Sequence, residues 1–77
     1  MSPTVQIGKN GVSDGLLDHI KDMGRSHDTI KLVFLQGFRA SHSVDDAVET
    51  ITAYLDPLYE TETSRRGHTV TLAVHDA

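Results

Sequence analysis

The sequence predicts an α/β (α+β) two-layer sandwich, in which a four-stranded mixed sheet carries both helices on one face. Three observations favour this class: strand-like runs alternate with two helical segments, helix-linked strands come early, and a hairpin-like pair of runs comes late. The predicted order is β-α-β-α-β-β, with two helical crossovers. Because 77 residues have room for one core only, we expect residues 1–77 to form a single domain.

The first part of the chain predicts a short strand followed by a helix. Thr4–Ile7 alternates polar and apolar residues and ends at Gly8, which is typical of a strand. Ser13 can cap a helix that runs from about residue 13 to about residue 25. Its apolar positions recur at helical spacing and are Leu16, Leu17, Ile20 and Met23.

The middle of the chain predicts an interior strand and a second helix. Ile30–Gln36 is a nearly continuous β-branched and aromatic run, which suits an interior strand. Gly37–His42 is predicted to be a loop. Ser43 then caps a helix that ends before Pro57, because the residue that precedes a proline avoids the helical conformation. The apolar side of this helix consists of Val44, Ala47, Val48, Ile51 and Leu55.

The last part of the chain predicts a hairpin. Leu58–Thr63 and His68–Val74 read as two strands, and Ser64–Gly67 has the length and the glycine of a hairpin turn.

The composition excludes several classes of protein. Seven Lys and Arg against eleven Asp and Glu give a net charge of −4. This charge argues against a protein that binds nucleic acid non-specifically through its whole surface. The absence of cysteine excludes disulfides and thiolate sites and fits a reducing compartment. No apolar run approaches the roughly 20 residues that span a bilayer. Met1–Pro3 leads straight into a predicted strand, so the sequence shows no signal-peptide pattern. We therefore expect a cytoplasmic protein that does not bind membranes.

No motif indicates an enzyme, a cofactor or a metal site. The five histidines lack compact ligand spacing, and the serines fall at caps or turns without a recognisable base. The segment Gly8–Gly11 (GKNG) lacks the spacing of a Walker loop. We expect no catalytic residue, no cofactor and no metal.

The predicted topology gathers four of the seven cationic side chains at one edge of the sheet. If the first three strands run parallel, the loops that follow them lie at the same end. Those loops contain Lys9, Arg39, Arg65 and Arg66, and His42 and His68 lie near the same edge.

The GKNG loop has the composition of a phosphate contact. Gly8 and Gly11 allow a phosphate backbone to approach, Lys9 supplies charge, and Asn10 tolerates a left-handed turn and offers an amide. The helix that follows presents its N-terminus to the same edge. A G-x-x-G segment also serves simply as a tight turn, and Phe38 in the next loop either stacks on a base or packs into the core.

The segments VQIGKNGVSDGLLDHI, HDTIKLVFL and RRGHTVTLAV resemble the CRM (chloroplast RNA splicing and ribosome maturation) domains of the YhbY-like family. The resemblance extends from about residue 4 to about residue 74. It implies RNA binding through the G-x-x-G loop, at Gly8, Lys9, Asn10 and Gly11, with Arg65 and Arg66 at the hairpin. It also implies association with ribosomal RNA or with particles that are precursors of the large ribosomal subunit.

Two features depart from that family. Its members are commonly basic, and bacterial members carry a further N-terminal helix. We expect the acidic surface to weaken binding to naked RNA, and we expect an open sheet face with Val33 and Leu35, through which a homodimer is a candidate assembly. Two alternatives stay open: an Alba-like nucleic-acid-binding protein, and a protein-interaction module without affinity for RNA.

Overall fold

The structure is a computed structural model that describes residues 3–56 and 58–76. Its elements are β1 (Thr4–Ile7), α1 (Asp14–Met23), β2 (Thr29–Phe34), α2 (Gln36–Arg39), α3 (Val44–Leu55), β3 (Tyr59–Arg66) and β4 (Thr69–Asp76). The predictions made for Met1, Ser2 and Pro57 lie outside the described residues.

The four strands form one mixed sheet in the order β1-β2-β4-β3. β1 pairs with β2 in parallel, whereas β4 is antiparallel to both β2 and β3. β3 therefore runs in the same direction as β1 and β2, as the sequence predicts. The long helices α1 and α3 cover one face, so the predicted two-layer sandwich is confirmed.

The core lies between this helix-covered face and the two helices. Alternate residues of β2 and β4 point into it, because successive side chains of a strand lie on opposite faces. Ile20 of α1, Ile51 of α3 and Leu72 of β4 are fully buried within it. Val12, Leu16, Met23 and Val48 pack against this core while remaining partly exposed.

Both long helices begin at predicted serine caps. The Ser13 hydroxyl accepts a hydrogen bond from the Leu16 N–H (3.2 Å), and the Ser43 hydroxyl accepts one from the Asp46 N–H (3.3 Å). Such caps satisfy N–H groups that have no partner within the helix. None of the described helices has both the length and the apolar character needed to cross a bilayer.

The segment Gly37–His42, predicted to be a loop, contains most of the short helix α2, so that prediction is wrong in part. The backbone turns helical directly after β2, which ends at Phe34 and not at Gln36. A single helical turn is too short to show a repeat of apolar residues, so the hydrophobic pattern of the sequence does not reveal this helix. The predicted first helix is also shorter than expected, because it ends at Met23.

The hairpin is longer and its turn tighter than predicted. β3 continues through Arg66, which pairs with Thr69, and leaves Gly67–His68 as a two-residue turn. Gly67 has a φ of 59°, the positive value that two-residue hairpin turns require. Ser64–Arg66 therefore belongs to a strand and not to the turn.

None of the described helices lies on the other face of the sheet. This face presents partly exposed Val33, Thr69 and Thr71, and exposed Lys31. Leu35, predicted to share this face, follows the end of β2 and lies near Gly8, with 39% of its surface exposed. The homodimer through this face stays a prediction.

Candidate functional site

The segments that follow β1, β2 and β3 meet at one edge of the sheet. They are residues 8–13, residues 35–43 and Gly67–His68, and we call this region, together with the adjoining end of β3 and start of α3, the loop edge. The Leu35 N–H donates to the Ile7 carbonyl and the Phe34 N–H donates to the His68 carbonyl, each at 2.9 Å. Backbone hydrogen bonds thus hold the three segments side by side.

The GKNG loop is a tight turn that closes on its second glycine. The Gly11 N–H donates to the Gly8 carbonyl at 3.0 Å, and Gly11 has a φ of 72°. Asn10 does not occupy the left-handed region, since no described residue other than glycine has a positive φ. The left-handed position of this turn is therefore occupied by Gly11, and the tolerance of Asn10 for that conformation is not used.

The GKNG loop lies against the start of α2. A side-chain carbon at Gly37 would lie 3.4 Å from the Lys9 Cβ and 3.6 Å from the Lys9 backbone nitrogen. Lys9 and Asn10 are both exposed on the outer side of this contact. Gly37 thus allows the loop to approach α2 while its polar side chains face solvent.

Two of the predicted cations, Arg39 and Arg65, line one depression of about 310 Å³. We call it the arginine depression. It is lined by Arg39, His42, Ser43, Val44, Asp45, Arg65 and His68. It therefore combines side chains from α2, from the start of α3 and from the hairpin.

Both arginines are anchored through Nε to backbone carbonyls. Arg39 Nε donates to the Phe34 carbonyl at 3.1 Å, and Arg65 Nε donates to the Gly67 carbonyl at 3.1 Å. These bonds restrain each guanidinium and leave its terminal nitrogens for other partners. Restrained donors lose less conformational entropy when they bind an anion.

Arg65 already has one such partner. Its Nη1 lies 3.0 Å from Oδ1 of Asp45 in the first turn of α3. Both side chains are exposed, at 47% and 85%, so solvent screens the pair and its contribution is about 0–1 kcal/mol. An incoming anion can therefore displace Asp45 at modest cost.

Arg66 and Lys9 do not line the arginine depression. Arg66 is paired with Thr69 and has the register of the sheet face that carries no helix, because Arg65 before it faces the helices. Lys9 lies beside Gly37 on the GKNG loop. All four predicted cations lie at the loop edge, but only two share a depression.

A second depression, of about 400 Å³, lies between the GKNG loop and α3. We call it the loop depression. Its lining includes Asn10, Gly11, Val12, His42, Asp46 and Thr50. His42 and Ser43 belong to both depressions, so the two adjoin.

His42 stacks on the buried ring of Phe38. The ring centroids are 4.9 Å apart with an interplanar angle of 23°, and Phe38 in turn lies 5.1 Å from the ring of Phe34. Only 2% of the Phe38 surface is exposed, so of the two alternatives for Phe38 the structure selects packing into the core. His42 thus presents an exposed aromatic ring at the loop edge.

Sequence reasoning missed the roles of Asp45 and His42 at this edge. The signal for Asp45 was its place in the first turn of a helix that begins at the loop edge. Nothing in the spacing of Phe38 and His42 distinguishes a stacked pair from two separate side chains. Among the residues that the structure describes, no three His, Asp or Glu side chains converge as metal ligands would.

Comparison with known proteins assigns the chain to a family. No curated protein matches the chain at a significant level. A family model described as the CRS1 / YhbY (CRM) domain matches residues 1–72, which is nearly the whole sequence. The chain therefore belongs to the CRS1/YhbY (CRM) domain family, a family of RNA-binding domains.

Proposed function

We propose that residues 1–77 form a single domain that binds structured RNA through phosphate contacts at the loop edge. The RNA is ribosomal, in a precursor of the large subunit, and the protein acts in the cytoplasm as an assembly factor or RNA chaperone. The proposed contact residues are Gly8, Lys9, Asn10, Gly11, Arg39, Arg65 and Arg66. Membership of a family of RNA-binding domains supports the class of ligand.

The arginine depression is the observation that carries this proposal. Two guanidinium groups with restrained orientation face the same space, and His42 and His68 lie beside them. Arginine binds phosphate with charge-assisted and often bidentate hydrogen bonds, which are stronger than those between neutral groups. The first turn of α3 also contributes to the lining, and the positive end of a helix dipole favours an anion.

The other two proposed cationic contacts, Lys9 and Arg66, extend this surface on both sides. Lys9 projects from the GKNG loop, and Arg66 lies at the end of β3 on the opposite face of the sheet. A phosphate backbone that crosses the loop edge would meet Lys9, then Arg39 and Arg65, then Arg66. The acidic remainder of the surface repels RNA elsewhere, so the net charge of −4 orients the complex and lowers its affinity.

Salt dependence tests phosphate binding directly. The affinity for a labelled single-stranded RNA is measured between about 50 and 300 mM KCl. Three or four phosphate contacts, at about 0.7 released ions each, give a slope of log K against log salt of about −2 to −3. No measurable affinity for any RNA at the lowest salt would contradict the proposal and favour a protein-interaction module.

The ribosomal role needs a separate experiment. Cell extract that contains the epitope-tagged full chain is sedimented on a sucrose gradient, and the tagged protein is followed by immunoblot. We expect it to travel with precursors of the large subunit and to leave them at high salt. Sedimentation only with free protein at low salt would remove the ribosomal part of the proposal and leave RNA binding to be decided by the salt titration.

A further inference from the structure

We propose that the loop depression binds one unpaired guanine base of the RNA, stacked against His42 and paired with the carboxylate of Asp46. This inference rests on the proposed RNA-binding function and names the group that the second depression recognises. It concerns base recognition, whereas the arginine depression concerns phosphates.

The size and position of the loop depression fit one nucleobase. Its volume of about 400 Å³ lies in the range of small-ligand sites, roughly 300–1,000 Å³. It adjoins the arginine depression across His42 and Ser43. A nucleotide whose phosphate contacts Arg39 or Arg65 therefore has a second depression within reach of its base.

His42 provides a stacking surface. Its ring is exposed and is supported from beneath by Phe38, which stacks on it and is itself buried. Unpaired RNA bases stack on aromatic side chains, including histidine. Because Phe38 fixes the orientation of the His42 ring, base binding does not carry the entropic cost of ordering that ring.

Gly11 keeps the ring accessible. A Cβ at Gly11 would lie 3.5 Å from Nε2 of His42, 3.7 Å from Cε1 and 3.9 Å from Cδ2. A side chain at this position would cover the part of the ring that faces the loop. The positive φ is what requires glycine here, and the lack of a side chain also leaves this part of the ring uncovered.

Asp46 selects the base. It lines the loop depression, and among the described residues its carboxylate accepts no hydrogen bond and forms no ion pair. A carboxylate repels phosphate but accepts two parallel hydrogen bonds from adjacent donors. Guanine presents two adjacent donors, N1–H and the N2 amino group, whereas adenine and cytosine present one amino group and uracil one imino group.

The test uses the full chain and RNA hairpins that differ in one loop base. Each hairpin has the same stem and a loop of seven uridines, of which the central one is kept or replaced by guanine, inosine, adenine or cytosine. Binding is measured by fluorescence anisotropy at constant salt. We expect guanine to bind about tenfold more tightly than inosine, which lacks the N2 amino group.

Asp46→Asn is the decisive variant, with Asp45→Asn as its matched control. Both variants remove one negative charge from the first turn of α3, but Asp45 lies in the arginine depression and Asp46 in the loop depression. We expect Asp46→Asn to abolish the preference for guanine and Asp45→Asn to retain it. Thermal unfolding of each variant shows that it is folded.

The outcomes separate this inference from the proposed function. Equal affinity for all hairpins, or a preference for guanine that persists in folded Asp46→Asn, would overturn the guanine site while leaving phosphate binding intact. No binding to any hairpin would overturn both.

Discussion

Nη1 of Arg65 lies 3.0 Å from Oδ1 of Asp45, and this ion pair joins the β3–β4 hairpin to the first turn of α3. The two residues are twenty positions apart in the chain and meet at the loop edge. The carboxylate of Asp45 is therefore bound to one of the two guanidinium groups that we propose for phosphate binding. RNA has to compete with it.

We expect Asp45→Asn to raise the affinity for RNA by about two- to fivefold. The variant frees Arg65 and removes a charge that repels phosphate, and an exposed ion pair is worth about 0–1 kcal/mol. Anisotropy titration with a hairpin RNA measures the change. Asp56→Asn alters the net charge equally at the far end of α3 and should have a smaller effect; equal gains from both variants would show that Asp45 does not compete locally.

We expect Arg65→Ala to weaken RNA binding more than Arg66→Ala does. The neighbouring arginines carry the same charge, but Arg65 lines the arginine depression and Arg66 has the register of the opposite face. Loss of one phosphate contact reduces the salt slope by about 0.7. Arg25→Ala, at the opposite edge of the sheet, is the control for net charge; an unchanged slope in Arg65→Ala would exclude Arg65 from the interface.

We expect Gly11→Ala to destabilise the protein by about 1–2 kcal/mol. The φ of 72° at Gly11 is strained for any residue that has a Cβ, and the new methyl group would approach the His42 ring. Urea unfolding followed by circular dichroism measures the loss. Gly15→Ala is the control, because Gly15 lies within α1 and has no positive φ, and alanine there should stabilise the helix. Equal stability of the Gly11→Ala variant and the natural chain would contradict the strain.

Tyr54 gives a prediction for alkaline pH. Its hydroxyl donates to the Asp18 carboxylate, which joins α3 to α1, and this hydrogen bond raises the pKa of Tyr54 above its usual value of 10.0. Partial burial and the charges of Asp18, Asp14 and Asp22 raise it further. Because the folded pKa exceeds the unfolded one, the stabilisation is complete below pH 10 and is lost as pH rises through the folded pKa.

Absorbance at 295 nm during alkaline titration tests this prediction, with Tyr54→Phe identifying the signal of Tyr54. We expect the titration step that is missing in Tyr54→Phe to have a higher pKa than the tyrosine of a model peptide. The difference in unfolding free energy between the natural chain and Tyr54→Phe should be constant from pH 7 to 9 and should shrink above about pH 10. A Tyr54 step at or below that of the model peptide would contradict the hydrogen bond to Asp18.

Sequence patterns sufficed for most of the fold because each long element has a strong local signal. Ser13 and Ser43 mark the starts of the two long helices, and the alternation of Val70, Leu72 and Val74 marks the buried face of β4. The parallel direction of three strands followed from the helical crossovers, and this direction brings the loops together. By contrast, the side chains of Ser64–Arg66, at the end of the edge strand β3, are all exposed, so this segment lacks an apolar pattern and resembles a turn.

The candidate site could be predicted only to the level of which loops meet. The positions of Lys9, Arg39, Arg65 and Arg66 at the loop edge follow from topology, but the partner of each side chain does not. Whether Arg65 pairs with Asp45, and whether Phe38 turns inward beneath His42, depends on rotamers and on contacts between segments distant in the chain. The pattern of residue types along the chain does not encode these choices.

The most direct test of RNA binding at the loop edge is the affinity of the double variant Lys9→Asp, Asn10→Asp for a hairpin RNA at about 100 mM salt. Both side chains are exposed, so we expect the variant to unfold at nearly the same temperature as the natural chain. Reversal of charge at the GKNG loop should weaken binding by about tenfold or more, whereas Arg25→Asp, Ser26→Asp at the opposite edge changes the net charge equally and should have a much smaller effect. Unchanged affinity in the folded Lys9→Asp, Asn10→Asp variant would contradict RNA binding through this loop.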